Sequence, residues 1–238
     1  MQQNLILDPS AIHVWHVNLK LANNDYQQLK TYLNPEEQQR LQRYTHQPAQ
    51  QQFLAARGRL KQLLAGYLGT TPGSIQFELG QYRKPRLAGT TIDNGLVFNL
   101  SHSGTVALIA ISKNRALGVD VERIDSKHNL QGMAQRCFSD QELRRWSQSE
   151  EPGKTIKFYD YWCAKEAFLK ATGRGLALGM QHCVIDLNQP CYLSLPKSYQ
   201  TSDWQLHRID VGKDYRAFVA GNGDSVTIIS RHYSLELA

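Results

Sequence analysis

Asp120 and Glu122 stand two residues apart in Gly118-Val119-Asp120-Val121-Glu122. On a β-strand that spacing projects both carboxylates from one face while Val119 and Val121 enter a core. Like charges held so close need a cation, a shared proton or a basic neighbour. Arg123 could be that neighbour, so the spacing alone leaves open a metal site or a solvated strand face. A third acid lies in a helical pattern from Thr155 to Ala171, where Trp162, Glu166 and Lys170 are spaced four apart and share a face. By itself this is a Glu-to-Lys surface pair; a functional reading needs Glu166 to reach the strand of Asp120 and Glu122.

Two further stretches carry polar groups of the right kind. Phe98-Asn99-Leu100-Ser101-His102-Ser103-Gly104 precedes an apolar strand and reads as a ligand loop or a capped turn. Ser101 and His102 do not indicate a hydrolase, because adjacent side chains diverge and no G-x-S-x-G elbow is present. Arg83-Lys84-Pro85-Arg86 puts three cations beside a rigid proline, which suits a solvated loop or a phosphate.

The elements that must position these groups follow from periodicity and caps. Ile12 to Leu21 alternates as an opening strand. Asn34-Pro35-Glu36-Glu37 starts a helix carrying Arg40 and Arg43, and a second helix with Arg57 runs from about Pro48 to Leu68. Short strands such as Ile75 to Leu79 are expected next. Val106 to Ser112 and Ala116 to Glu122 form two strands joined by Lys113-Asn114-Arg115, either a hairpin or the crossing between two lobes. A helix over Arg136 to Gln148, capped by Ser139 with Glu142 three on, and the helix ended by Gly173 and Gly175 come after it. Strands are expected at Cys183 to Ile185, Trp204 to Ile209, Tyr215 to Ala220 and Val226 to Ser230. This order predicts an α+β protein of two lobes, residues 1–112 and 113–238, with no repeat in the residues themselves.

Composition sets the class. The 238 residues are 41% hydrophobic and 20% charged, normal for a globular protein. The longest apolar stretch, Val106 to Ile111, is far short of the ~20 residues of a membrane span, and Met1-Gln2-Gln3-Asn4 has no signal-like core. Cys137, Cys163, Cys183 and Cys191 fall at irregular spacings without zinc pairing and are expected as reduced thiols of a cytoplasmic protein. A net charge of +6 implies a polyanionic partner. With no long basic run and no aromatic-basic motif, nucleic acid is not expected.

Taken in order, the motifs resemble the Sfp-type phosphopantetheinyl transferases. The resemblance rests on F-N-L-S-H-S-G (98–104), L-G-V-D-V-E-R-I (117–124) and W-C-A-K-E-A-F-L-K-A-T-G-R-G-L (162–176), with Y-R-K-P (82–85) and the helix start N-P-E-E-x-x-R-x-x-R in support. The W-x-x-K-E-A form is similar to that of siderophore and cyanobacterial members. Arg83 stands where many members have Gly.

The resemblance implies a pseudodimer of two similar α+β lobes with the active site in the cleft between them. The implied reaction moves the 4′-phosphopantetheine group of coenzyme A to a serine of an acyl or peptidyl carrier protein, as a holo-carrier synthase, with Mg²⁺. Asp120, Glu122 and Glu166 would hold Mg²⁺; Lys170 would contact the phosphates, with Lys165 also on the cofactor side; Ser101 and His102 would face the 3′-phosphate. Lys84 and Arg86 would lie by the adenine and ribose, with Arg40, Arg43 and Arg57 adding charge. Either Glu166 or a metal-bound water would take the serine proton. The partners implied are coenzyme A and acidic carrier proteins, without nucleic acid or membrane, and the molecule is expected to be a monomer. An idle binding module of the same fold and a Mg²⁺-dependent nuclease are the alternatives; intact Asp120, Glu166 and Lys170 speak against the first.

Overall fold

Alternation decides which face each strand buries, and caps decide where each helix begins. The computed structural model describes residues 5–80, 82–89 and 95–233, so Met1 to Asn4 lie outside the described residues. Along it run β1 (Ala11–Asn18), α1 (Asn23–Thr31), α2 (Pro35–Gln42), α3 (Gln47–Leu68), β2 (Phe77–Leu79), β3 (Pro85–Leu87), β4 (Leu96–Ser103), β5 (Val106–Lys113) and β6 (Leu117–Arg123). There follow α4 (Leu130–Cys137), α5 (Asp140–Ser147), α6 (Gly153–Thr172), β7 (Val184–Asp186), β8 (Cys191–Ser194), β9 (Trp204–Arg208), β10 (Tyr215–Asn222) and β11 (Thr227–His232).

The capping signals hold. Asn34 Oδ1 accepts the Glu37 backbone N–H at 2.8 Å while Glu37 Oε2 accepts that of Asn34 at 3.0 Å, so α2 starts with a capping box. Ser139 and Glu142 repeat the motif for α5. That box also corrects an expectation: the single helix from Arg136 is two helices. Ser139 must be extended (φ −68°, ψ 162°) to cap, and a helix cannot run through such a residue. Helix α1 is an addition that the periodicity did not announce.

Two sheets carry the molecule. The first has the order β11-β1-β5-β4 and the second β6-β10-β9. The strands Val106–Lys113 and Leu117–Arg123 lie in different sheets, so the turn between them is a crossing and not a hairpin. Asn114 adopts φ 53° there, a left-handed conformation that Asn tolerates better than most side chains. In each sheet the first strand of a unit pairs antiparallel with the last, and the last with the middle one: β1-β5-β4 and β6-β10-β9. In each unit a long helix, α3 or α6, follows the first strand. This is the pseudodimer of two similar α+β lobes.

The layers stack as helix, sheet, sheet, helix. Trp15, Val17, Ile109 and Ile111 pack on Leu60, Leu63 and Leu64 of α3. Their strand neighbours Ile12, Val14, Leu108 and Ala110 meet Val119, Val121, Ala217 and Val219 of the second sheet. Phe218, Ala220 and Leu206 then pack on Ala164, Ala167 and Phe168 of α6. The period of two thus sends alternate residues of the same strands into different cores. The last strand, β11, leaves the second lobe and lies parallel to β1, with Val14 opposite Ser230 and His16 opposite His232.

This return strand gives the protein an acid-sensitive contact. His13 is 2% exposed, hydrogen-bonded through Nδ1 to the Tyr67 hydroxyl at 2.5 Å, and burial followed by the nearby Arg231 draws its pKa from 6.5 to about 4. The unfolded chain binds that proton more readily than the folded one, so the contribution is intact above pH 6.5 and falls away between there and pH 4. Chemical denaturation at several pH values should show that His13→Gln loses less stability than the parent over this window. Equal losses in the two proteins would remove His13 as the cause.

Candidate functional site

The stretch Phe98 to Ser103, expected as a loop or turn, is the greater part of strand β4. Its outward residues Phe98 and Leu100 pack with α3. Its inward residues Asn99, Ser101 and Ser103 reach the free edge of β6. Asn99 Oδ1 accepts the Val119 N–H at 2.9 Å, Ser101 Oγ that of Val121 at 3.4 Å, and Ser103 Oγ that of Arg123 at 3.0 Å. The hydroxyls also donate, Ser101 to Asp120 Oδ1 and Ser103 to Glu122 Oε2, each at 2.8 Å. The alternation N-x-S-x-S was present in the sequence, but a strand face that is both buried and polar does not match the usual pattern.

Asp120 and Glu122 share the face of β6 that meets α6. Asp120 is 2% exposed; Lys170 Nζ donates to its Oδ1 at 2.5 Å and to Ser101 Oγ at 2.9 Å. Burial works against the Lys170 ammonium, but Asp120 and then Glu166 outweigh it and its pKa rises. The Glu166 carboxyl is pushed up to about 7, first by burial and then by Asp120 and Glu122, with Lys170 opposing. Burial and Asp120 also raise Glu122 against the Ser103 hydrogen bond. The structure therefore brings Asp120, Glu122, Glu166, Lys170 and Ser101 into one electrostatically coupled group.

Close packing of α6 on β6 makes this possible. At Gly118 a Cβ would fall inside the van der Waals envelopes of the Ala167 carbonyl oxygen and the Ala171 nitrogen, both backbone atoms of α6. Only a glycine lets the helix come down onto the strand one pleat before Asp120.

A cation suits the carboxylates. Asp120 Oδ2 is buried and has no hydrogen-bond partner, and burial together with Asp120 disfavours the ionised forms of Glu122 and Glu166. Among the described residues no group of three or more His, Cys, Asp or Glu is placed to hold a metal alone. Mg²⁺ does not require such a cage, since it takes one or two carboxylates and completes its shell with water and substrate phosphates.

The remaining residues divide. A cavity of about 270 Å³ between α3 and β4 is lined by Arg40, Phe53, Arg57, Pro85, Asn99 and His102, among others. Arg40 lies 4.9 Å over the Phe53 ring, and Arg57 pairs with Glu37 at 3.4 Å. Partial enclosure and then Lys170 lower the pKa of His102. Arg43 is exposed at the end of α2 and is not among the residues lining this cavity. Arg86 pairs with Glu78 at 2.7 Å and is largely exposed. Arg83 keeps a positive φ of 62° even as an arginine. Lys84 Nζ donates to the backbone carbonyls of Leu117 at 2.8 Å and Ala171 at 3.1 Å, joining β6 to the end of α6; burial draws its pKa down to about 8. Lys165 is turned away from the cleft altogether, 0% exposed and paired with Glu142 at 2.8 Å. That placement corrects its expected position on the cofactor side, because its ammonium is enclosed in the second lobe.

Comparison with known proteins agrees with the geometry. The model of the 4′-phosphopantetheinyl transferase superfamily matches residues 116–220, and that of the N-terminal part of 4′-phosphopantetheinyl transferases matches residues 20–114. The 4′-phosphopantetheinyl transferase HetI of Nostoc sp. is 36% identical over 73% of either chain. A putative 4′-phosphopantetheinyl transferase of Synechocystis sp. is 38% identical over 73% of this chain and 70% of its own. The 4′-phosphopantetheinyl transferase Sfp of Bacillus subtilis is 24% identical over 83% of this chain and 86% of its own. The chain belongs to the 4′-phosphopantetheinyl transferase family.

The close approach at Gly118 is testable. Gly118→Ala must push the α6 backbone away, and a stability loss of about 1–3 kcal/mol is expected from overpacking. Transferase activity should fall well beyond what that loss explains at a temperature where the variant is folded. Parental activity would show that the helix tolerates the shift.

Proposed function

We propose that the protein transfers 4′-phosphopantetheine from coenzyme A to a serine hydroxyl of an apo-carrier protein, leaving 3′,5′-ADP. One observation carries this reading: Asp120, Glu122, Glu166 and Lys170 converge from β6 and α6, with Ser101 linking Lys170 and Asp120 to the strand of the cationic cavity. One or two of the carboxylates of Asp120, Glu122 and Glu166 would hold Mg²⁺, with water and substrate phosphates completing its shell. Bound there, the ion would supply charge neutralisation at the pyrophosphate of coenzyme A.

The chain's own groups account for the rest. Arg40, Arg57 and His102 receive the anionic nucleotide end in the cavity. The serine oxygen attacks the β-phosphorus; the bond from that phosphorus to the bridging oxygen breaks, and the oxygen leaves with 3′,5′-ADP. Lys170 stabilises the charge on the leaving group. Glu166 takes the serine proton as general base. The excess of positive charge favours an acidic carrier domain as second substrate. Both lobes come from one chain, so the active unit is a monomer. Its four free cysteines are compatible with the cytoplasm.

Intact mass of apo-carrier proteins incubated with enzyme, coenzyme A and Mg²⁺ should show addition of one phosphopantetheine; no gain with any carrier overturns the reading. Glu166→Gln should reduce kcat by ~10²-fold or more with coenzyme A still bound, the scale of lost acid–base help. Recovery in excess Mg²⁺ would reduce Glu166 to a ligand. His102→Ala should raise KM for coenzyme A more than for dephospho-coenzyme A, and equal effects would remove it from the 3′-phosphate.

A further inference from the structure

Lys165 and Glu166 are consecutive on α6, about 100° apart around its axis, and the structure sends them to opposite tasks. Glu166 faces the carboxylates of β6, whereas the Lys165 ammonium is 0% exposed. It donates to Glu142 Oε2 at 2.8 Å, to the Met180 carbonyl at 3.0 Å and to the Cys183 carbonyl. All three of its donors are thereby used.

Glu142 is 0% exposed as well. Its Oε2 also accepts from the Ser139 backbone N–H at 2.8 Å and hydroxyl at 2.9 Å, and its Oε1 accepts the Ile185 N–H at 2.9 Å. One ion pair therefore ties α6 to the start of α5, to the turn at residues 180–183 and to β7.

Such a pair adds little net stability, because desolvation offsets the attraction, but breaking it strands a buried charge. It therefore narrows the geometries open to the helix more than it deepens the well. Turning α6 about its axis would carry Glu166 away from Asp120 and would have to pull Lys165 off all three acceptors.

We propose that the Lys165–Glu142 pair sets the rotation of α6 and so holds Glu166 in register with Asp120 and Glu122. Lys165 is then a positioning residue and makes no contact with coenzyme A. This inference rests on the transferase reading above.

The test is the double variant Lys165→Met/Glu142→Gln, in which Met fills the aliphatic path and Gln retains an acceptor for Ile185. Four quantities are measured on the purified full chain: melting temperature, coenzyme A affinity by calorimetry, kcat, and the affinity for Mn²⁺ with coenzyme A present. Melting temperature and coenzyme A affinity should stay close to those of the parent. Against that, kcat should fall at least ~10-fold, since misplacement of a reacting group by an ångström can cost more than that. Mn²⁺ affinity should fall as well.

Parental kcat and Mn²⁺ affinity in the folded variant would overturn the proposal. So would a loss of coenzyme A affinity in step with kcat, the mark of a direct contact. Should the double variant not fold, Glu142→Asp keeps the charge, draws the tether in by one methylene and is held to the same outcomes. A parent that transfers nothing would defeat the transferase reading, while the Mn²⁺ comparison would still decide the role of the pair.

Discussion

The inward polar side chains of β4 do for β6 what the carbonyls of a neighbouring strand would otherwise do. Three backbone N–H groups on the β6 edge, those of Val119, Val121 and Arg123, are met by Asn99, Ser101 and Ser103. An unmet buried donor costs about 1–3 kcal/mol, so the bonds to the buried Val119 and Val121 N–H groups let the β6 edge lie against the first sheet without that cost. Two of the three side chains turn their own hydroxyl protons to Asp120 and Glu122. The atoms that fasten the lobes are therefore the atoms that orient the carboxylates, and the site forms only where the lobes are joined.

From that joint the charges follow. Lys170 bonds both Ser101 and Asp120, so the helix face and the strand face share one hydroxyl. Burial and the neighbouring Asp120 raise the cost of ionising Glu166 and Glu122, and the orphaned Asp120 Oδ2 leaves a position for positive charge. Lys84 adds a second link, from the first lobe to the backbone at Leu117 and Ala171, where the start of β6 meets the end of α6.

Much of this was legible in the residues. The valine and acid alternation at 118–122, the four-residue spacing of Glu166 and Lys170, and the capping boxes at Asn34 and Ser139 are local rules that tertiary structure did not override. The strand at Phe98 to Ser103 was not, because its polar face is satisfied by partners distant in sequence. Helix α1 escaped because Leu29 is its one buried residue among those described, packed close to Gly58, too little to give an apolar period. Lys165 was misplaced for a related reason: spacing along a helix states its direction only relative to its neighbours. Whether a lysine meets solvent, phosphate or a buried glutamate depends on what α5 and the turn at 180–183 bring to it.

The parallel seam of β1 with β11 joins the first strand of the fold to its last. During synthesis the N-terminal sheet must wait, with one edge of β1 unpaired, until Thr227–His232 has emerged. Among the described residues its pairing has the greatest sequence separation of any strand pair, and contacts of that kind are the slow ones to close. A nascent first lobe is thus a template missing a strand, open at the edge to whatever extended segment passes by. The arrival of β11 closes that edge with a strand of the same chain.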